Sequence, residues 1–370
     1  MDLKTRGLDQ TILGCIRRYQ NADELPEGLF QDLALRLFSF QYKKNKYYRR
    51  FCGVEGKTPK NIHNWKEIPA IPTEGFREFF LTTFPVKKAV RLFRTSGTSG
   101  LSIGSGRGAH YFETLKLYDA AILPPFRKYL LPDRLRMDLF FLTASPKELK
   151  DSSLSYMMGV VNKRFGISAK DRFYVKQDQI LFEKLAHDLS KAKNPIMLLT
   201  TAFSLKSFLD YLRENKRTIK LSAGSRLMET GGFKGKVRAV SKKKLYRECK
   251  TWLGIPAHFC VSEYGMTELS SQFYDTTLYD FIRGNRQKPL KKGPAWLRSL
   301  VINPATGKEV SQGRKGILRH FDLANRGSVM AVQTADEGIR REGGFELLGR
   351  APNASLRGCS LTYESFLKGQ

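Results

Sequence analysis

SKKKLYRECKTWLGIPAHFCVSEYGMTELSS, residues 241–271, is the stretch from which the fold can be read. Ser241 is a good helix N-cap, because its hydroxyl can accept from a free backbone N–H of the first turn, and Gly254 can take the left-handed conformation that stops a helix. The residues between them therefore read as a helix. AHFCVSEYG (257–265) follows as a β-rich run, and the small polar residues after it read as a loop leaving the strand's carboxyl end.

Outward from this stretch the same alternation repeats. β-rich runs occur at AVRLFRT (89–95), MDLFFLTA (137–144) and IMLLTT (196–201), with helical patterns between and after them in SSLSYMMGVVNKRFG and FSLKSFLDYLREN. Strands alternating with helices predict an α/β architecture with a largely parallel sheet. From Trp296 the pattern changes to short strands and turns, LVINPATGKEV and KGILRHFDLANRGSVMAVQTADEG, which predict a smaller β-rich subdomain. Between Leu29 and Phe51, the apolar residues Phe30, Leu33, Leu37, Phe38 and Tyr42 recur at helical spacing and predict one amphipathic helix with a basic end. IPAIPTEGF (68–76) reads as an extended connector, since its prolines forbid a continuous helix.

The chain has 370 residues, 41% hydrophobic and 12% aromatic, enough to bury a core and unlike a disordered segment. The five cysteines, Cys15, Cys52, Cys249, Cys260 and Cys359, are scattered and odd in number, which fits a reducing cytoplasm rather than a disulfide framework or zinc site. No apolar run has the length of a signal peptide or a membrane span, so a soluble, cytoplasmic protein is expected. Lys and Arg number 64 against 35 Asp and Glu, a formal charge of +29. That excess attracts anionic partners in general. Basic clusters occur at YKKNKYYRR (42–50), SKKKLYRECK (241–250) and RQKPLKKG (286–293). The first interleaves aromatics with cations as single-strand platforms do, but no nucleic-acid motif surrounds the clusters, and solvated helix faces are the favoured reading.

The chemistry concentrates in two loops and two short motifs. RTSGTSGLSIGSGRG (94–108) gathers glycines and hydroxyls as phosphate cradles do, although a flexible linker has the same composition. It is not a Walker A loop, since no lysine lies between Thr95 and Gly108. SEYGMTELSS (262–271) combines an aromatic that could stack on a base, Tyr264, with Gly265 for close approach, the Thr267 hydroxyl, and the Glu268 carboxylate, which suits Mg²⁺. Parallel α/β sheets bind ligands at such strand ends. In QTADEG, Asp336 is suited to accept from ribose hydroxyls, and GRAPNASLRG opens with Gly349 and Arg350. The two loops together describe a nucleotide site, to which these two motifs add.

In this order the four elements resemble the adenylate-forming, acyl-CoA synthetase-like superfamily, with its Thr/Ser/Gly loop, YGxTE, TxDxG and Gly-Arg hinge motifs. More narrowly, FQYKKNKYYRRFC, IPAIPTEGFREF, TGGFKGKVR, VSEYGMTELSSQFYD, HFDLANRGSV and GFELLGRAPNASLRGCSL resemble the acyl-protein synthetases of bacterial bioluminescence systems, the LuxE-type long-chain-fatty-acid–protein ligases, over roughly Leu29 to Leu361. The resemblance implies a large adenylating domain with a smaller β-rich subdomain, and an ATP- and Mg²⁺-dependent reaction that makes acyl-AMP and then a protein thioester. It divides the chain into an N-terminal extension (1–28), an α/β adenylating core (29–295), a β-rich subdomain ending in the hinge (296–358) and a short tail (359–370), with the superfamily's C-terminal domain absent.

The resemblance also implies residue roles. Thr95, Ser96, Gly97, Thr98, Ser99 and Gly100 would hold the β- and γ-phosphates, Gly231 and Gly232 would lie against adenine, and Tyr264 would stack on it. Thr267 would touch the α-phosphate, Glu268 the Mg²⁺, and Asp336 with Arg350 the ribose. Cys359 would accept the acyl group, with Arg357 nearby to favour its thiolate, on a tail that spans about 30 Å from Arg350 when extended. Where the superfamily usually has Pro-Lys after its glycine loop this chain has LSIGSGRG, so Arg107 would supply the cation. The catalytic lysine of the absent C-terminal domain is then missing too, unless Lys368 or a partner protein replaces it. The expected partners are a fatty or related acid and an acyl-accepting protein such as an acyl reductase, carrier protein or acyltransferase. Rival readings are a ligase delivering to coenzyme A or a carrier thiol, and a non-catalytic basic nucleic-acid-binding protein. MLLTTAFSL (197–205) reads equally as plain core or as an acyl-pocket wall, and the resemblance favours the pocket. His63, His110, His187, His258 and His320 lack metal-ligand spacing, and even His110, near the glycine loop, reads first as a core or surface residue.

Overall fold

The helix expected after Ser241 runs Lys242–Leu253, with the Ser241 hydroxyl accepting from the Lys244 N–H and Gly254 ending it at φ 72°, its N–H bonded to the Lys250 carbonyl. Leu245, Cys249 and Leu253 fall four residues apart and form its buried face. This computed structural model describes residues 2–95, 106–168, 172–231, 241–285 and 287–351. They form two compact units, one of Met1–Pro124, Met266–Gln272 and Lys291–Gln370, the other of Pro125–Gly265 and Phe273–Leu290.

In the second unit the strands lie in the order Phe273–Asp275, Cys260–Tyr264, Arg226–Thr230, Ile196–Thr201, Asp138–Ala144, Phe173–Lys176 and Gln179–Ile180. The four inner pairings are parallel and the outermost pair on each side is antiparallel. The central strands Ile196–Thr201 and Asp138–Ala144 carry apolar runs, as suits a parallel sheet that helices can cover on both faces. Leu198 and Leu205 belong to its hydrophobic core, and Met197 and Leu199 are equally buried, so MLLTTAFSL is filled core rather than the wall of an open pocket.

The first unit is mainly antiparallel. Leu297–Ile302, Lys315–Asp322, Ala331–Arg341 and Gly344–Arg350 pair in sequence, as the change of pattern at Trp296 predicts, and Ile71–Pro72 adds a parallel strand beside Ala331–Arg341. A two-stranded ribbon, Arg91–Arg94 with Ala109–Phe112, carries the two ends of the glycine-rich segment.

Three local expectations change. The single helix over Leu29–Phe51 is two, Glu27–Lys44 and Lys46–Val54, because Asn45 leaves the helical conformation at ψ 103° and its side chain caps the second helix by accepting from the Tyr48 N–H. The connector after Pro72 contains one helical turn, Gly75–Glu78. Leu3–Arg18, within the segment read as an extension, is a full helix with Ile12 and Ile16 buried. Cys15, Cys52, Cys249 and Cys260 are buried free thiols, whereas Cys359 and Lys368 lie outside the described residues. No helix among the described residues is long and apolar enough to cross a membrane.

Candidate active site

The ribbon closes the neck of the glycine-rich segment. The Thr95 N–H donates to the Gly108 carbonyl at 2.9 Å, the Gly108 N–H to Thr95 Oγ1 at 2.8 Å, and Arg107 Nε to the Thr95 carbonyl at 2.7 Å. A Cβ on Gly108 would stand 3.1 Å from Thr95 Cγ2, so the close approach of the two strands favours glycine there. Thr95 is thereby fixed, while Ser96, Gly97, Thr98, Ser99 and Gly100 lie outside the described residues. Arg107, expected to supply a cation, is engaged at this neck.

The loop carrying Thr267 and Glu268 is held to the same unit on several sides. Thr267 Oγ1 donates to the Arg94 carbonyl at 3.4 Å, and the Thr267 carbonyl accepts from His110 Nδ1 at 2.8 Å. The Glu268 carbonyl accepts from Asn325 Nδ2 at 2.7 Å. Two and three residues on, the Ser270 and Ser271 N–H groups both donate to Asp322 Oδ2, at 2.9 and 2.8 Å, and Ser271 Oγ donates to Asp322 Oδ1 at 2.9 Å. Burial pushes the Asp322 carboxyl up to about 6, against the pull of these donors. Gln41 binds the Asn325 carbonyl at 2.8 Å, so the clamp itself is anchored to the Glu27–Lys44 helix.

Glu268 is 6% exposed. Burial is the main cause that raises its carboxyl to about 7; the Glu74 and Asp336 carboxylates push the same way, while a hydrogen bond from its own backbone and the Arg350 charge oppose them. Asp336 faces Arg350 across adjacent strands, Nε to Oδ1 at 4.0 Å, and its N–H donates to Thr334 Oγ1 at 3.0 Å. That pairing depends on a register shift between Glu337 and Gly338, where any Cβ on Gly338 would meet Leu318 Cδ2 at 2.7 Å. Gly349, beside Arg350, has φ 108°, a conformation that favours glycine. Arg350 is 74% exposed and reachable by an anionic or hydroxylated ligand.

Among the described residues no three His, Cys, Asp or Glu side chains are arranged to hold a metal. The buried Glu268 carboxylate, with the Glu74 and Asp336 carboxylates each within electrostatic reach of it, nevertheless fits Mg²⁺, which is commonly held by one or two carboxylates together with substrate phosphates and water.

In the second unit, Gly231 follows the Arg226–Thr230 strand with φ 75° and open space where a Cβ would stand, while Gly232 lies outside the described residues. Thr230 pairs in register with Glu263, which brings Gly231 and Tyr264 to neighbouring strand ends. Tyr264 is buried with its ring 5.7 Å from that of Phe273, and Gly265 after it is exposed. Glu229, buried on the same strand as Thr230, accepts from Tyr246 at 2.9 Å and pairs with Lys242 at 3.3 Å, fixing the start of the capped helix.

Sequence reasoning gave Asp322 and Asn325 no role, although both lie in HFDLANRGSV. The available signal was two polar side chains inside an apolar run, since buried polar groups need partners.

The family model described as "Acyl-protein synthetase, LuxE" matches residues 5–367. The chain belongs to the LuxE family of acyl-protein synthetases. Membership makes it a ligase, and the match extends the resemblance read from Leu29 to Leu361 in both directions. The long-chain-fatty-acid–luciferin-component ligase of Aliivibrio fischeri is 22% identical over 352 residues, which is 91% of this chain and 88% of that protein. The ligase of the same name from Vibrio harveyi is 21% identical over 340 residues, 88% of this chain and 84% of its own. Among solved structures, an open conformation of 2-hydroxyisobutyryl-CoA ligase in complex with 2-HIB-AMP and CoA superposes with a TM-score of 0.65 at 14% identity, over 88% of this chain and 69% of that one. The same enzyme in a postadenylation state with 2-HIB-AMP also gives 0.65. The α/β fold is therefore that of adenylate-forming ligases.

Proposed function

We propose that the protein activates a long-chain fatty acid with ATP and passes the acyl group to a protein thiol. A carboxylate oxygen of the acid attacks the α-phosphorus of ATP, the bond to the bridging oxygen breaks, and pyrophosphate leaves. A thiolate then attacks the acyl carbonyl carbon, and AMP leaves. The observation that carries this reading is the gathering of Thr267, Glu268, Asp336 and Arg350 beside the neck of the glycine loop, in a chain of this family.

The site residues divide the work by chemistry. Thr95 with Ser96, Gly97, Thr98, Ser99 and Gly100 would cradle the β- and γ-phosphates, and Thr267 would donate to the α-phosphate. Fixed donors suit this reaction because the protein's task is to stabilise charge that builds on phosphate oxygens. Glu268 would hold Mg²⁺, which when bound supplies a Lewis acid for that charge. Asp336 and Arg350 would bind the ribose; Gly231, Gly232, Tyr264 and Gly265 would receive adenine. The adenylating core is assigned to 29–295, the β-rich part to 296–358 and the acyl-carrying arm to 359–370.

Cys359 is proposed as the acyl acceptor, to be relieved by an acyl reductase, carrier protein or acyltransferase. In support, the other four thiols are buried, and burial raises Cys15 to about 11 and holds Cys52 higher still. The test is ATP–pyrophosphate exchange across a series of saturated acids from octanoate to stearate, with hydroxylamine-labile label as the second readout. Cys359→Ser is expected to keep acid-dependent exchange and lose the label. Loss of both moves Cys359 into the adenylation step, and wild-type enzyme without acid-dependent exchange overturns the reading.

A further inference from the structure

His110 is the third residue of the glycine-loop neck from Gly108, on the strand Ala109–Phe112, and is 2% exposed. Its ring lies 4.2 Å from that of Phe112 and 5.8 Å from that of Phe76. Its Nδ1 is 2.8 Å from the Thr267 carbonyl oxygen. A carbonyl oxygen can only accept, so Nδ1 carries the proton and the ring is fixed as the Nδ1–H tautomer. Burial pushes the imidazole down to about 4, so near neutral pH the bond is made by an uncharged donor.

Glu268 lies between two peptide carbonyls, and both are gripped: that of Thr267 by His110 and its own by Asn325 at 2.7 Å. Fixing both flanking peptides fixes the backbone dihedrals of Glu268 between them and hence the direction in which its carboxylate leaves the chain. The Thr267 side chain is tied to the ribbon independently, through Arg94. Of the two grips on Glu268, only His110 comes from the strand that also carries the glycine loop's return.

We propose that His110 is a positioning residue for adenylation: its Nδ1–H holds the Thr267 carbonyl and so sets the Thr267 hydroxyl and Glu268 carboxylate in register with the ribbon Arg91–Arg94 and Ala109–Phe112. The kinetic part of this inference rests on the acid-activating reaction proposed above. Misplacing a catalytic group by about an ångström can cost on the order of a hundredfold in rate, so one such tether is worth a measurable share of kcat.

His110→Asn and His110→Leu form the deciding pair. Asn places an N–H donor at the same number of bonds from Cα as Nδ1, and Leu has nearly the shape of Asn without the donor. Both lose the ring packing equally, so their difference reads the hydrogen bond. With palmitate and ATP, the Leu variant is expected to exchange pyrophosphate with kcat about tenfold below the Asn variant. The two should have similar KM for ATP and similar thermal midpoints. Amides of the 266–272 peptide should exchange hydrogen faster in the Leu variant than in the Asn variant, a readout that stands even if wild-type enzyme shows no acid-dependent exchange and the reaction itself is misread. Equal kcat and equal amide protection in the two variants, or a difference confined to KM, overturns the proposal. Failure of both variants to fold assigns His110 to packing and overturns it as well.

Discussion

Glu268 is a carboxyl whose environment works against its charge until something cationic arrives. It is the folded chain that holds its proton to higher pH, about 7 against the usual 4.5. Folding stability therefore falls as pH rises through that window and stays reduced above it, by on the order of 3 kcal/mol for a shift of this size. Glu268→Gln should abolish acid-dependent pyrophosphate exchange, since an amide is a poor Mg²⁺ ligand. The same variant should melt higher than wild type at pH 8 and no higher at pH 4.5; thermal midpoints across that range check the sign. Asp322→Asn offers one carbonyl oxygen where a carboxylate serves Ser270, Ser271 and Ala324. About 1–3 kcal/mol of stability should be lost, with faster amide exchange in the 266–272 loop. Glu268 was legible because its motif carries a chemistry of its own. Asp322 and His110 were not, since their partners lie 51 and 157 residues away in the chain.

Among the elements, those whose ends are decided by local chemistry were the easiest to read. The Lys242–Leu253 helix begins and ends where Ser241 and Gly254 require. Ser241→Ala should cost about 1 kcal/mol, read as a shift of the denaturant midpoint with an unchanged slope. The helix start is also tied to Glu229 through Lys242 and Tyr246. Where local signals conflict, reading fails. Asn45 divides an apolar pattern that continues across it.

For the molecule as a whole, the N-terminal helix is part of the structure that holds the site's unit together. Arg326 is 2% exposed, and Asp9 on the Leu3–Arg18 helix pairs with it at 2.6 and 2.9 Å while Glu113 adds a contact at 3.3 Å. Removing one partner leaves a buried guanidinium undercompensated, so Asp9→Ala should destabilise the protein by about 3–5 kcal/mol. Asp9→Ala with Arg326→Met should regain part of that loss, and chemical denaturation of the wild type, the single variant and the double variant checks it. By itself the sequence determined the α/β alternation, the β-rich part after Trp296 and the four motifs, because periodicity, caps and residue chemistry act over a few positions and survive without the rest of the chain. Tertiary structure alone decided that MLLTTAFSL is core, that Leu3–Arg18 is anchored, and that Asp322, Asn325 and His110 grip the Glu268 loop. Burial and hydrogen-bond partnership are properties of distant segments brought together, and no local window contains them.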